Sequence, residues 1–284
     1  MIQEKSIVYI AFGELYVAMA LLSIKTLKKF DPITKITIIT NLDFDPSLFQ
    51  YWNKNKDEIR YFEDLSINNR EYKTSIDKYI KSEKVAFFDC DTLILSEFKI
   101  AWSFLDYFDI ALKMNPTKQK KIGKGDVPIL NNKYIVRDLP HFNSGVIFFR
   151  NSSVSNKFFN LWNKTNKRIK LKYDQISLIE SLFISKIRIL PLTSEWNFFP
   201  DINFYRGKIK NPRILHYTNR ISYVIENELL KITKTLKFNK YKIKEEIKQK
   251  RSMRRLKIGR IGWFKLRLIW ILLYKKEKRR LNLY

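Results

Sequence analysis

SIVYIAF (Ser6–Phe12), ELYVAMALLSIKTLKKF and KITIIT (Lys35–Thr40) follow one another at the start of the chain, and together they constrain the fold more than any later stretch. The first is a run of β-branched and aromatic residues, the pattern of a buried strand. The second sets Leu15, Ala18, Met19, Leu22 and Leu27 at helical spacing and closes on a basic turn, which complements a helix C-terminus. The third returns to strand. A strand–helix–strand order with short connections argues for a parallel α/β sheet built by crossover connections.

The rest of the chain continues in kind. A helix is expected around Pro46–Lys56, a short strand at IRYF, a helix over Tyr72–Ser82 and a strand in VAFFDCD. Another helix near Ile100–Tyr107 precedes the strand FDIALKM. The segment Asn115–Pro140 is polar and broken by turn formers, and it reads as a loop over one face. FNSGVIFFR (Phe142–Arg150) resumes the sheet, SNKFFNLWNKTNKRI and DQISLIESLFIS read as helices, IRIL as a strand, and PRILHYT (Pro212–Thr218) as the last strand. Beyond it the chain is lysine-rich and helical. With no internal repeat and no Gly/Ser linker, the economical division is a main domain over 1–220 and a basic helical extension over 221–284.

The carboxylates of KVAFFDCDTLIL (Lys84–Leu95) raise a chemical question. An apolar strand that stops on Asp89, skips one residue and presents Asp91 is a poor core element, because ionised carboxylates are almost never buried without a partner. Two residues apart along a strand, both side chains share one face and can reach one ion. Oxygen ligation suits Mg²⁺ or Mn²⁺, and the carboxyl ends of strands in open α/β sheets are where ligands sit. A pair of solvated loop acids is the plainer alternative.

Charge and cysteine content narrow the partners. The formal charge is +27, and residues 220–284 hold 21 Lys/Arg against 5 Glu while residues 1–219 hold 34 against 23 acids. Such a chain attracts nucleic acid, anionic lipid or phosphorylated substrates, although no nucleic-acid-binding motif accompanies the charge. In the tail, Leu256, Ile261, Phe264, Leu268 and Leu272 recur at helical spacing among Arg255, Lys257, Arg260, Lys265 and Arg267. A basic amphipathic helix carrying Trp263 and Trp270 suits the headgroup region of an anionic bilayer; a terminal helix packed on the domain is the alternative. The one cysteine, Cys90, excludes an internal disulfide and a cysteine-cluster zinc site. With no leader pattern and no apolar run of membrane-spanning length, the expected location is cytoplasmic, peripheral on the inner face of the membrane.

Six pieces, in order over residues 6–218, resemble a nucleotide-sugar glycosyltransferase of the GT-A fold, most like glycosyltransferase family 8 and its relatives. IVYIAFGELYVAMALLSIKTLKKF resembles the family's first strand and helix, and YKTSIDKYIKSEKVAFFDCDTLIL its basic helix and metal-binding D-x-D. HFNSGVIFFRNS resembles its F-N-S-G-V strand. DQISLIESL, LPLTSEWNFFP and ILHYT resemble its D-Q helix, W-N segment and late metal-binding histidine. The resemblance implies a mostly parallel central sheet flanked by helices, with the basic extension appended.

It also implies roles. Asp89, Asp91 and His216 would hold Mn²⁺ or Mg²⁺, the imidazole favouring manganese. His216 could otherwise be a strand histidine satisfied in the core. Ala11, Phe12, Gly13 and Tyr16 would line the nucleoside site, with Phe12 or Tyr16 stacking on a base and Gly13 permitting close backbone approach; both aromatics could equally be core. Lys73, with Lys78 as a competitor, would contact the donor, as would Cys90 between the two aspartates. Asn143, Ser144 and Gly145 would border the sugar, Asp174 and Gln175 would face the reacting carbon, and Trp196 and Asn197 would edge the pocket. The family's Gly-Lys-Pro-Trp run after the late histidine is replaced by HYTNRISY, so a diphosphate-contacting lysine is not supplied there and Arg220 is the nearest stand-in.

The activity implied is metal-dependent, retaining transfer of a hexose from a nucleotide-diphosphate sugar, with UDP as the expected nucleotide, to a glycan or lipid-linked acceptor, as in lipopolysaccharide or surface polysaccharide synthesis. Two rivals stand beside it: a basic nucleic-acid-binding protein, and a haloacid-dehalogenase-like phosphatase. The phosphatase pattern wants Thr or Val two residues after the second aspartate, where this chain has Leu93.

Overall fold

The computed structural model describes residues 4–62, 69–115, 128–129, 134–135, 139–169, 174–199, 209, 211–217 and 221–252. The first half of the chain comprises β1 (Lys5–Ala11), α1 (Glu14–Leu27), β2 (Lys35–Thr40), β3 (Glu58–Tyr61), α2 (Asn69–Lys73), β4 (Lys84–Phe88), β5 (Thr92–Ile94), α3 (Ala101–Phe104) and β6 (Ile110–Met114). After these come β7 (Pro128–Ile129), β8 (Tyr134–Ile135), β9 (Phe142–Arg150), α4 (Ser153–Ile169), α5 (Gln175–Ser185), β10 (Ile189–Leu192), β11 (Ile214–His216), α6 (Tyr223–Thr235) and α7 (Lys240–Ser252).

Seven strands form the central sheet in the order β10-β6-β9-β4-β1-β2-β3. β4, β1, β2 and β3 run parallel, as do β10 and β6. β9 lies reversed between β4 and β6, joining the two parallel blocks. The mostly parallel α/β architecture expected from the opening strand–helix–strand unit is therefore present, with one antiparallel member inserted.

Helix α1 departs from the amphipathic reading. Eleven of its residues are buried, including Val17, Ala20, Leu21 and Ile24 outside the predicted stripe. A helix apolar all round is one covered on both sides. The sheet covers one side of α1, and α6 and β5 cover the other. From α6, Ile225, Leu229 and Ile232 join the core cluster of α1, as do Ile243 and Ile247 of α7. Ser222 caps α6 by accepting from the Ile225 amide, and Lys237, at φ 56°, ends it in a left-handed turn.

The opposite face of the sheet is covered by α4 and α5, where Phe158, Phe159 and Trp162 pack on Phe149 and Leu112. The Trp162 indole N–H is 3.2 Å from Ser177 Oγ and 3.3 Å from the Asp174 carbonyl. Trp162→Ala is expected to cost about 3–5 kcal/mol, the usual range for emptying a fully buried tryptophan site. A fall in the urea midpoint at constant m-value would register it.

Two expected helices are shorter than read. Over Pro46–Lys56 only Pro46–Leu48 forms a helical turn, because Asp57 turns back to accept from the Asn53 amide and holds that stretch in a loop. Over Tyr72–Ser82 the chain makes the end of α2 and a tight turn at Ile76–Tyr79. Thr74 and Ser75 hydroxyls donate to the Glu71 carbonyl and compete with helix continuation. Arg220, the tail positions Leu256–Leu272 with their flanking cations, and most of the expected loop over 115–140 lie outside the described residues. Among the described residues no helix is long and apolar enough to cross a membrane.

Candidate metal centre

The chain leaves the sheet at Phe88, the last residue of β4. Asp89 is pinned as it does so, its amide donating to the Gly145 carbonyl on β9 at 2.8 Å. The chain then turns into β5, and Thr92 closes the turn by donating to the Asp89 carbonyl at 2.8 Å. Ser23 of α1 bonds the same hydroxyl at 3.0 Å, tying the acidic turn to the buried helix. β11 pairs antiparallel with β5, and the register sets His216 opposite Thr92. The late histidine is thus brought beside the early aspartates by sheet pairing.

One ligand atom from each of Asp89, Asp91 and His216 lies within 4.8 Å of the others. His216 Nε2 stands 3.0 Å from Asp91 Oδ1 and 3.9 Å from Asp89 Oδ2. Its Nδ1 is 3.0 Å from Asn197 Oδ1. The Asn197 amide nitrogen donates to Asn143 Oδ1 at 2.7 Å, which leaves its oxygen toward the ring. This network makes Nδ1 the donor to Asn197 and leaves Nε2 as the ring nitrogen that faces the carboxylates, at hydrogen-bond distance from Asp91. Two carboxylate oxygens and an imidazole nitrogen converging on one point can hold a cation, and an imidazole steered through its far nitrogen is the usual form of a metal-ligating histidine. The donor set fits a divalent ion of the Mn²⁺ or Mg²⁺ kind.

The carboxylates are open to an incoming ligand: the Asp89 and Asp91 side chains are 29% and 26% exposed. Desolvation raises Asp89 above the ordinary carboxylate value, although Lys73 and His216 pull it down. At Asp91 the same desolvation is outweighed by His216, and the net shift is downward, with Lys250 contributing.

Gly145 makes this convergence possible. A Cβ there would lie 2.4 Å from His216 Cε1 and 2.9 Å from Asp89 Oδ2. Beside it, the Ser144 hydroxyl donates to Asp174 Oδ2 at 2.9 Å. Lys73 bridges the two halves of the site, 3.0 Å from Asp89 Oδ1 and 3.5 Å from Asp174 Oδ2. Its burial works against charge, but the two carboxylates win and raise its pKa, so it stays an ammonium ion. Asp174 sits at the N-terminus of α5 without capping it; its carboxylate is committed to Ser144 and Lys73. Gln175, the first residue of α5, is half-buried beside it.

The remaining expected residues are placed as follows. Asn143 accepts from both Gly145 and Asn197, so its oxygen supports the histidine from behind. Cys90 lies between the aspartates in sequence, and its thiol donates to the Ile10 carbonyl in the core. Ala11 is buried at the end of β1. Gly13, at φ +87°, opens α1, where few other residues could adopt that backbone. Phe12 packs edge-on against Tyr72, 5.0 Å between centroids. Trp196 is core, packed on Phe104 and Phe148. Lys78 is exposed, unlike Lys73.

Two neighbours were not anticipated. Phe199 lies against the His216 ring, centroids 4.5 Å apart. Lys250 of α7 reaches Tyr16 on α1, with Nζ 2.9 Å from the phenol oxygen. Neither carries a motif; one is an aromatic among many, the other a lysine in a lysine-rich helix.

No family model matches the sequence, and no curated protein matches it. Solved structures share its fold. An active-site mutant of LgtC superposes with a TM-score of 0.53 at 14% identity, over 75% of this chain and 86% of that one. The galactosyltransferase LgtC in complex with donor and acceptor sugar analogs superposes at 0.50 and 15% identity with the same coverage. The glycosyltransferase GlyE of Streptococcus pneumoniae TIGR4 reaches 0.56 at 15% identity, covering 87% of this chain but 64% of GlyE. At these identities the likeness establishes the GT-A fold.

Proposed function

We propose that this protein transfers a hexose from a nucleotide-diphosphate sugar, with UDP the first choice of nucleotide, to a hydroxyl of a glycan or lipid-linked acceptor. The observation that carries the reading is the convergence of Asp89, Asp91 and His216 at the carboxyl end of β4, in a fold shared with glycosyltransferases. Asp89 and Asp91 would hold a divalent cation through oxygen and His216 through Nε2, a set that favours manganese over magnesium. When bound, that cation supplies charge neutralisation to the departing diphosphate.

The chain's own groups do the rest. Lys73 keeps Asp174 drawn toward the metal centre, where that carboxylate and Gln175 would face the anomeric carbon as positive charge develops. In the retaining course, the bond from that carbon to the diphosphate breaks. The acceptor oxygen bonds from the same side, and its proton leaves with the diphosphate. No protein general base is then required. The phosphatase and nucleic-acid alternatives are not favoured, since the fold neighbours are glycosyltransferases.

A surface glycan, lipopolysaccharide included, is the proposed product, made at the inner face of a membrane. Supporting this, Lys231, Lys234, Lys237, Lys240 and Lys244 line one groove beside Phe238, between α6 and α7. Lysines clustered on one face attract anionic lipid.

Purified protein incubated with Mn²⁺ and a panel of nucleotide sugars, including UDP-galactose and UDP-glucose, is expected to consume one donor. EDTA should stop the reaction and added Mn²⁺ restore it. If every donor in the panel survives intact, the reading is wrong.

A further inference from the structure

Helix α7 belongs by sequence to the basic extension, yet near its end it contacts Tyr16 in the first turns of α1. The parallel pairing of β1 with β4 sets the start of α1 at the sheet edge from which Asp89 leaves. Lys250 Nζ donates to the Tyr16 hydroxyl at 2.9 Å and stands 4.7 Å from the centroid of that ring. This placement follows from packing. Ile243 and Ile247 are 0% and 1% exposed in the α1 core, and the Asn239 amide donates to Glu14 Oε1 at 3.3 Å, fixing the start of α7.

The two lysines at the centre differ in their counter-charges. Lys73 is held between Asp89 and Asp174. Lys250 meets a neutral phenol and an aromatic face, and among the described residues no carboxylate lies within ion-pair distance of it. An ammonium ion held by packing at the sheet edge that carries the acidic turn, and without a bonded anion among the described residues, is matched to a ligand that brings negative charge to that spot.

Resting on the donor reading above, we infer that Lys250 binds the phosphates of the nucleotide donor, so that helix α7 completes the donor site. Tyr16 acts as the positioning residue, holding the ammonium ion by its hydroxyl and ring. The helix pair that follows β11 is then part of the binding machinery, and its removal would strip the site of a cation as well as of packing.

Calorimetric titration of the full chain with UDP and with uridine, both in Mn²⁺, tests this. Lys250→Met is expected to weaken UDP binding about tenfold or more, the scale of one charge-assisted hydrogen bond, while uridine binding stays the same. Lys250→Arg should recover most of the loss, and Tyr16→Phe should weaken UDP less than Lys250→Met does. Unchanged UDP affinity in Lys250→Met overturns the inference and leaves the donor reading standing. Equal losses for UDP and uridine also overturn it, since they report packing. If wild-type protein binds none of UDP, GDP, CDP or ADP, the donor reading itself falls and the inference with it.

Discussion

Asp91→Asn is expected to lower turnover by about a thousandfold and to remove the response of the protein to Mn²⁺. The side chain keeps its shape but loses its charge, so the effect isolates cation binding from packing. Charge stabilisation by a bound metal is worth several kcal/mol, and each tenfold in rate corresponds to about 1.36 kcal/mol, hence roughly three decades. Without metal the variant should be somewhat less stable than wild type, because it loses the attraction of His216 that holds Asp91 below the ordinary carboxylate value. The thermal midpoint should therefore rise with Mn²⁺ in wild type, as ligand binding to the folded state requires, and stay flat in Asp91→Asn. A variant that is still stabilised by Mn²⁺ would show that the ion, if bound, sits elsewhere.

Gly145→Ala should also damage function, less severely and for a different reason. The added carbon would stand 2.4 Å from His216 Cε1, 2.7 Å from its Nδ1 and 2.9 Å from Asp89 Oδ2. None of these is the loose end of a flexible chain. His216 is held by Asn197, and β9 is held by the Asp89–Gly145 backbone bond. Relief must come from rotating the imidazole or displacing the carboxylate, and disturbance of a ligand's support costs about 10–100-fold in metal affinity or activity. Overpacking adds about 1–3 kcal/mol of instability. Metal titration of the folded variant separates the two effects; wild-type Mn²⁺ affinity would refute the tight-approach argument.

The parts of this protein legible in its sequence are those where one local rule dominates. The β-branched run of β1 and the apolar run before Asp89 could be read because strands and carboxylates obey simple constraints. FNSGVIFFR reads as a strand, but its reversed direction is not legible, since nothing in a strand's composition encodes which neighbour it pairs with. The break in the Tyr72–Ser82 helix depends on hydroxyls of Thr74 and Ser75 turning back to Glu71, a competition that periodicity ignores. At the site, residue types announced Asp89 and Asp91, and a resemblance pointed to His216. The part Asn143 and Asn197 play, orienting the imidazole, required coordinates. Lys250 was illegible in principle: among the lysines of α7 only packing of Ile243 and Ile247 selects the one that faces Tyr16.

The pairing of β11 with β5 also dictates a timetable. On a ribosome, β1 through β4 emerge and can assemble while His216 is still unsynthesised. A nascent chain therefore displays its acidic turn, with Lys73 but no imidazole beside it, until the short β11 strand arrives to pair with β5.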